Sequence, residues 1–306
     1  MTETRHEEII LATDDGHAIH LQVWAPTGNP VGTIQLLHGV GEHVMRYERF
    51  AHSAVARGYA VCGHDHRGHG LSEGERGYFA DEDGWHKIVE DVRVVNDHIR
   101  STFGPKPIFM LAHSMGSFIG QTFAMHYGDR LTGLLLSGSS WPQRAQIVPG
   151  RILAKLESLR LGKRGRSALI NALGFGAFNR RFQPVRTEMD WLTRDDAEVD
   201  KYVTDPLCGG LFTCGLWLDF LRGLFELGAD HSLARIPANL PILITGGSVD
   251  PVGGENGMTR LAKHYMNTSH QRVELKIYPD GRHEMLNEIN RKEVTGDWLD
   301  WFVALI

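Results

Sequence analysis

The stretch Pro107-Ile108-Phe109-Met110-Leu111-Ala112-His113-Ser114-Met115-Gly116 reads as a short apolar strand that turns sharply into a helix, predicted over Met115–Tyr127. Such a turn presents a serine at the carboxyl end of a strand, in a strained backbone conformation that requires small residues two positions before and after it. Gly116 meets this requirement, and Ala112, which stands where glycine is usual, is also small. We therefore predict that Ser114 is a nucleophile. The alternative interpretation is a serine that caps the helix.

Apolar segments of strand length alternate with helical segments on both sides of this motif. Strands are predicted at Glu7–Thr13, Ala18–Trp24, Gly32–Leu37, Tyr59–Gly63, Pro107–Ala112, Leu131–Ser137, Pro241–Thr245 and Val273–Tyr278. Further helices are predicted at Tyr47–Arg57, Trp85–Phe103, Glu255–Tyr265 and Arg291–Leu305. This alternation predicts an α/β fold with a mostly parallel central sheet and helices on both faces.

Residues 141–234 interrupt the alternation. They contain helix-like stretches, Arg151–Leu161 and Leu211–Leu227, and no clean strand. We therefore predict a catalytic core made of residues 1–140 and 235–306, with an inserted helical lid at 141–234. Ligands in open α/β sheets bind beyond the carboxyl ends of the strands, so an insertion there would cover the site.

Two later strand ends carry the groups that a nucleophilic serine needs. A serine hydroxyl requires a base, and the base requires an orienting acid. Asp250 follows one predicted strand, in a glycine-rich loop, and His283 follows the next strand. The order serine, acid, histidine is the one expected for this strand–turn–helix context. Asp280 is the alternative acid, and a solvated loop acid with a surface histidine is the non-catalytic interpretation.

The oxyanion of an acyl-transfer reaction needs backbone amides directed at it. One donor is predicted to be Met115, the residue after the nucleophile. The second is predicted to be Val40, in the turn His38–His43 that follows an earlier strand. We expect this turn to open a helix, whose N-terminus favours anions. The alternative is an ordinary turn.

The 17 histidines are numerous for a chain of this length. His64, His66 and His69 lie close together in the sequence, and imidazole is the commonest metal ligand. Their spacing does not match known two-metal hydrolase motifs, so we favour hydrogen bonding within a loop and predict no metal and no organic cofactor.

Composition excludes several classes of protein. The 306 residues are 42% hydrophobic with a net charge of −5, which gives no reason to expect a nucleic-acid partner. The first eight residues lack the features of a signal peptide, and the longest apolar run has only six residues, Trp301–Ile306. Three cysteines without C-x-x-C spacing favour a reducing, cytoplasmic location.

Six segments together resemble the α/β-hydrolase superfamily, and within it the monoacylglycerol lipase and lysophospholipase-like serine hydrolases. They are His38–His43, Arg46-Tyr47, Asp65–Gly77, Ala112–Gly116, Gly246–Val252 and Gly281–Glu288. The resemblance assigns the nucleophile to Ser114, the acid to Asp250, the base to His283 and the oxyanion donors to Val40 and Met115. It implies hydrolysis of carboxylic esters of single-chain lipids.

Substrate contacts are predicted at His38, Gly39, His113, Phe178 and Trp217. The lid aromatics Phe175, Phe178, Phe182, Phe212, Trp217 and Phe225 are candidates for an acyl tunnel or, alternatively, for the lid's own core.

The basic stretch 151–166 predicts at most peripheral membrane contact, and an ordinary lid helix is the alternative. We expect a monomer or homodimer. A hydrolase of another bond (small-ester carboxylesterase, thioesterase or peptidase), a cofactor-free haloperoxidase and a catalytically silent binding protein are the other functions considered.

Overall fold

The computed structural model describes residues 4–306, in which one eight-stranded sheet forms the centre of the molecule. Its strands are β1 (Thr4–Ala12), β2 (Ala18–Pro26), β3 (Thr33–Leu37), β4 (Ala60–His64), β5 (Ile108–His113), β6 (Gly133–Ser137), β7 (Ile242–Gly247) and β8 (Val273–Tyr278). They lie in the order β1-β2-β4-β3-β5-β6-β7-β8. The first two strands pair antiparallel and the other six run parallel, which confirms the predicted sheet.

Nine α-helices accompany the sheet within residues 4–306. They are α1 (Glu48–Ala56), α2 (Gly84–Phe103), α3 (Met115–Tyr127), α4 (Arg144–Leu161), α5 (Ala168–Gly174), α6 (Asp196–Thr204), α7 (Cys214–Leu227), α8 (Gly254–Asn267) and α9 (Arg291–Val303). The bounds of α3 and β8 are those predicted. Helix α4 begins at Arg144 rather than at the predicted Arg151, because Pro149 lies inside the helix instead of ending it.

Both faces of the sheet are covered, as predicted. Along β5, Met110 and Ala112 pack with helices α2, α3 and α8, whereas Phe109 and Leu111 pack with α1 and α9. A strand buried on both faces reads as a continuous apolar run, which explains the sequence of this strand.

Helices α4, α5, α6 and α7 all lie between β6 and β7 in the chain, where the insertion was predicted. Helices α5 and α6 were not predicted. Both are short and begin at side-chain caps: Ser167 accepts from the Ile170 amide at 3.2 Å, and Asp195 accepts from the Ala197 amide at 3.1 Å. The division into core and lid stays a prediction. Among residues 4–306, no helix combines the length and apolar character needed to cross a bilayer.

Candidate active site

Ser114 occupies the sharp turn between β5 and α3. Its φ of 53° and ψ of −120° are a strained conformation for a residue with a side chain, and it makes no capping hydrogen bond. A Cβ atom on Gly116 would lie 2.5 Å from the Leu37 carbonyl oxygen and 2.6 Å from that of His38. Only glycine fits where the helix passes this close to β3. The structure therefore has the predicted turn rather than a serine cap.

His283 and Asp250 form a buried pair at the same edge of the sheet. The Nδ1 atom of His283 lies 2.9 Å and 3.0 Å from the two carboxylate oxygens of Asp250, and the Val252 amide donates to Asp250 at 2.8 Å. With Nδ1 donating to the carboxylate, Nε2 is free to accept a proton. The alternative acid, Asp280, is exposed and takes no part in this pair.

The electrostatic surroundings of His283 favour its role as a base. Burial lowers the pKa of His283, but the carboxylate of Asp250, with help from Glu284 and Glu42, outweighs burial, and the net shift is upward. The neighbouring His113 ring lies 4.7 Å away, and burial together with His283 lowers the pKa of His113 to about 4. His113 therefore stays neutral while His283 accepts a proton.

The loop from His38 to His43 lies against the nucleophile. A Cβ atom on Gly39 would lie 2.8 Å from Oε1 of Glu42 and 3.1 Å from the Cβ of Ser114, so a side chain here would crowd both groups. Among residues 4–306, the Val40 amide donates no hydrogen bond. The Met115 amide is the first of α3 and has no acceptor within the helix. Both residues line the cavity that contains Ser114, as an oxyanion site requires.

As expected, the loop opens a helical segment, a 3-10 turn over Val44–Tyr47 followed by α1. Side chains also hold the shape of the loop. Glu42 accepts the Gly39 amide at 2.6 Å, and the Tyr202 hydroxyl donates to the Gly41 carbonyl at 2.8 Å.

A buried charge network, which the sequence analysis did not predict, holds Glu42 in place. Arg46 donates to Glu42 at 2.7 Å and forms two 2.6 Å hydrogen bonds with Glu284, the residue after His283. Burial raises the pKa of Glu42, but the charge of Arg46 and the hydrogen bond from the Gly39 amide help to lower it to about 2, so the carboxylate is ionised. Glu42 lies in His38–His43, one of the segments that carry the family resemblance, and this position was the only indication in the sequence that Glu42 belongs to the site.

A mostly apolar cavity of about 210 Å³ opens onto Ser114 and His283. Its phenylalanine, tyrosine and tryptophan lining consists of Phe118, Phe175, Phe178, Trp191, Tyr202, Phe212, Trp217 and Phe220. Of the predicted contacts, Gly39, His113, Phe178 and Trp217 line this cavity. Trp191, whose ring centroid lies 5.1 Å from that of His283, was not predicted.

Comparison with known proteins places this geometry in a family. The family model described as "Serine aminopeptidase, S33" matches residues 28–290. The chain belongs to this family of α/β-hydrolases. The hydrolase is 31% identical to human monoglyceride lipase, over 91% of this chain and 84% of that protein. It is 28% identical to a monoacylglycerol lipase of Mycolicibacterium smegmatis, over 99% of each chain.

Solved structures give the same fold. A thermostable carboxyl esterase from Bacillus coagulans, in complex with glycerol, superposes with a TM-score of 0.89 at 25% identity, covering 98% of each chain. A monoglyceride lipase variant from Saccharomyces cerevisiae superposes with a TM-score of 0.74 at 20% identity, covering 100% of this chain and 95% of that one.

Three predicted cavity residues of the hydrolase lie elsewhere. His38 is buried and does not line the cavity, because its ring turns inward: Nδ1 lies 2.7 Å from the Gly39 carbonyl, and Nε2 accepts the His66 amide at 3.0 Å. Phe182 packs under the guanidinium of Arg282. Phe225 lies in a different cavity.

The histidine cluster lies behind this loop. His66 donates to the His38 carbonyl at 3.2 Å and His69 to that of Arg67 at 3.0 Å, which is the predicted loop bonding. Within residues 4–306, neither ring nitrogen of His64 has a partner, so for His64 the prediction is wrong.

His64, His66 and His69 do not bring three potential ligand atoms within 4.8 Å of one another. Among residues 4–306, only His43, Asp205 and Cys208 bring three potential ligand atoms within 4.8 Å of one another. That the hydrolase needs no metal stays a prediction.

We expect acid to destabilise the hydrolase through these buried rings. Burial lowers the pKa of both His64 and His69 from 6.5 to about 3. Below pH 6.5 the unfolded chain therefore binds protons that the folded protein does not. The free energy of unfolding decreases as the pH is lowered, until the pH reaches the pKa of the folded state. In that pH range each ring lowers the free energy of unfolding by up to about 1.4 kcal/mol per pH unit.

Urea unfolding between pH 7 and 4 measures this dependence. The His64→Leu variant should show a shallower fall in the free energy of unfolding, whereas His52→Gln, at an exposed position, should leave the slope unchanged. A free energy of unfolding that did not change with pH in the unaltered protein would contradict the expectation.

Proposed function

We propose that the protein is a serine hydrolase that cleaves carboxylic esters of single-chain lipids, and that monoacylglycerols are its main substrate class. The observation that carries the proposal is an apolar, aromatic-lined cavity that ends at Ser114, with His283 and the His283–Asp250 hydrogen bonds beside it. The relatives named above as monoglyceride and monoacylglycerol lipases support the same substrate class.

The proposed reaction is a two-step acyl transfer. The Ser114 hydroxyl attacks the ester carbonyl carbon while its proton moves to Nε2 of His283. The amides of Val40 and Met115 hold the oxyanion that forms. The carbon–oxygen bond to the alcohol then breaks, and the alcohol leaves with the proton from His283. A water molecule, deprotonated by the same ring, hydrolyses the acyl-serine and regenerates the hydroxyl, while Asp250 orients the ring and stabilises its cation.

The charges at the cavity favour a neutral alcohol over a phosphate-bearing one. Glu42 and Glu284 line the cavity near the reacting groups, and both are paired with the single guanidinium of Arg46. These carboxylates accept hydrogen bonds from glycerol hydroxyls but repel the phosphate of a lysophospholipid.

A substrate panel tests the proposal. We expect kcat/KM to be highest for monoacylglycerols and lower for lysophosphatidylcholine, acyl thioesters and N-terminal amide substrates. Graded acyl lengths from butyrate to palmitate measure how much chain the cavity accepts. Faster cleavage of an N-terminal amide than of every ester would contradict the proposal.

We also propose peripheral contact of the insertion with lipid surfaces. Exposed aliphatic side chains lie on one side of α4 and continue onto α5. They are Val148, Ile152, Leu156, Leu159, Leu169 and Leu173, and Leu159 is 77% exposed. Apolar surface in such a position gains free energy when it enters a bilayer interface. The cytoplasmic location and the monomeric or homodimeric state remain predictions from the sequence.

Replacing Leu156 and Leu159 together by serine should weaken binding to lipid vesicles about tenfold. The reason is that about 1.4 kcal/mol or more of the binding free energy from apolar burial is lost. Activity on a water-soluble ester should not change. A matched pair, Val31→Ser with Val303→Ser, removes exposed aliphatic side chains outside the insertion and serves as the control. Equal vesicle binding by the two double variants would contradict the proposal.

A further inference from the structure

A second cavity, of about 500 Å³ and open to solvent, lies at the base of the insertion. Its walls come from α4, α7, the carboxyl end of α3 and the segment that leads from α7 toward β7. Among the described residues it shares no lining residue with the cavity at Ser114. It is therefore a separate site.

Four arginines line this cavity: Arg144, Arg151, Arg222 and Arg235. Arg222 is neutralised by Asp83 at 2.9 Å and by Glu226 at 2.8 Å. Glu226 is the only carboxylate among the lining residues that the structure describes. Within residues 4–306 the other three arginines form no ion pair. The cavity thus carries an uncompensated positive charge.

Two of the unpaired guanidinium groups are held in place before any ligand binds. The central carbons of the Arg144 and Arg151 guanidinium groups lie 3.8 Å and 4.3 Å from the centre of the Phe225 ring. Cation–π contact stabilises each group on the ring. Both cations contact the same ring, and within residues 4–306 neither forms an ion pair with an acid, so both remain available to an anion.

The third unpaired guanidinium group belongs to Arg235. Nη2 of Arg235 lies 3.3 Å from Nδ1 of His126 at the end of α3. Burial and the charge of Arg235 both lower the pKa of His126, in keeping with the positive potential of the cavity.

We propose that this cavity binds a phosphate group, carried by an anionic phospholipid headgroup or by a small phosphate ester. Guanidinium groups match phosphate oxygens with paired, charge-assisted hydrogen bonds, and three of them suit a tetrahedral anion better than a planar carboxylate. The volume admits a phosphate with a glycerol-sized substituent. The inference goes beyond the proposed function, because it does not depend on the chemistry at Ser114.

An anion bound here would join the insertion to the core. Arg144 and Arg151 belong to α4, whereas Arg235 precedes β7 and His126 belongs to α3. A phosphate that contacts both sets would stabilise one position of the insertion over the sheet.

The test compares two triple variants that lose the same charge. Arg144→Gln/Arg151→Gln/Arg235→Gln alters the cavity. Arg100→Gln/Arg260→Gln/Arg272→Gln removes three exposed arginines elsewhere and is the control. Turnover of a soluble p-nitrophenyl ester reports that each variant is folded and that the Ser114 site is intact. It therefore separates failure of this inference from failure of the proposed function.

Two arms identify the source of the phosphate. In the first, binding to phosphatidylglycerol vesicles should be about a hundredfold weaker for the cavity variant than for the control. In the second, glycerol 3-phosphate binding measured by calorimetry should be about tenfold weaker. If only vesicle binding is weaker in the cavity variant than in the control, the ligand is a phospholipid headgroup. If only glycerol 3-phosphate binding is weaker, the ligand is a small phosphate ester.

Equal losses in both variants, or no loss in either arm, would overturn the proposal. Phe225→Leu gives a second check without a change of charge, since it removes the ring that holds two of the arginines. It should weaken the same binding several-fold. If the triple variant does not fold, an unchanged affinity in Phe225→Leu and in the single variant Arg151→Gln would overturn the proposal by itself.

Discussion

Replacement of Ser114 by alanine is expected to lower kcat for monoacylglycerol by about 10⁶-fold, the loss typical of a nucleophile in a serine-histidine-acid triad. The physical reason is that no other hydroxyl occupies the strained turn where the helix passes within van der Waals range of β3. Fluorophosphonate labelling and steady-state turnover measure the effect. Labelling should disappear in the variant because the serine oxygen is the group modified.

Ser101→Ala is the matched control for this variant. Ser101 is exposed on α2, and its hydroxyl bonds only to the His98 carbonyl at 2.8 Å. Its loss should leave both turnover and labelling unchanged. Labelling of a Ser114→Ala protein at the unaltered rate would move the nucleophile to another residue and contradict the proposed mechanism.

The second large effect is expected at Asp250. Asp250→Asn should reduce kcat by about 10⁴-fold, because the amide no longer stabilises the imidazolium and favours the wrong tautomer of His283. Asp280→Asn is a matched control, since Asp280 lies in the loop after β8 that also carries His283, and it is exposed. A larger loss from Asp280→Asn than from Asp250→Asn would reverse the assignment.

The pH profile adds an independent readout of this pair. In the proposed mechanism His283 must be neutral to accept the proton of Ser114, and the pKa of His283 is raised from 6.5, chiefly by Asp250 acting against burial. The rate should therefore fall on the acid side through an apparent pKa above 6.5. In Asp250→Asn the charge that raises the pKa is gone, so the acid limb should move to lower pH. A limb that stayed in place would mean that another group controls it.

Much of the fold could be predicted from local sequence. The bounds of α3 and β8 were those expected, and the strands alternating with helices predicted a doubly covered sheet, because burial on both faces leaves a continuous apolar run. Helices α5 and α6 were missed, since short helices that rely on caps and on packing from other segments carry little periodic signal of their own.

The site was predictable only in part, for a related reason. Ser114, Asp250 and His283 each follow a strand, so chain order and sheet geometry were enough to bring them to one edge. The direction in which a side chain points could not be predicted from the sequence in the same way. His38 was expected to face substrate and instead turns inward toward His66, because its ring bonds to the loop it belongs to.

The sequence by itself therefore predicted the strands of the sheet, the turn at Ser114 and the order of the three proposed reacting groups along the chain, because each strand and the loop that follows it are encoded by residues close together in the chain. Only the tertiary structure decided the network of Arg46 with Glu284, the contact of Tyr202 with Gly41, and the arginine cavity. Arg46 and Glu284 lie 238 positions apart, and Tyr202 and Gly41 lie 161 apart. Such partners come into contact only when the whole chain has packed and closed the long loop between them. No local sequence pattern therefore predicts their contact.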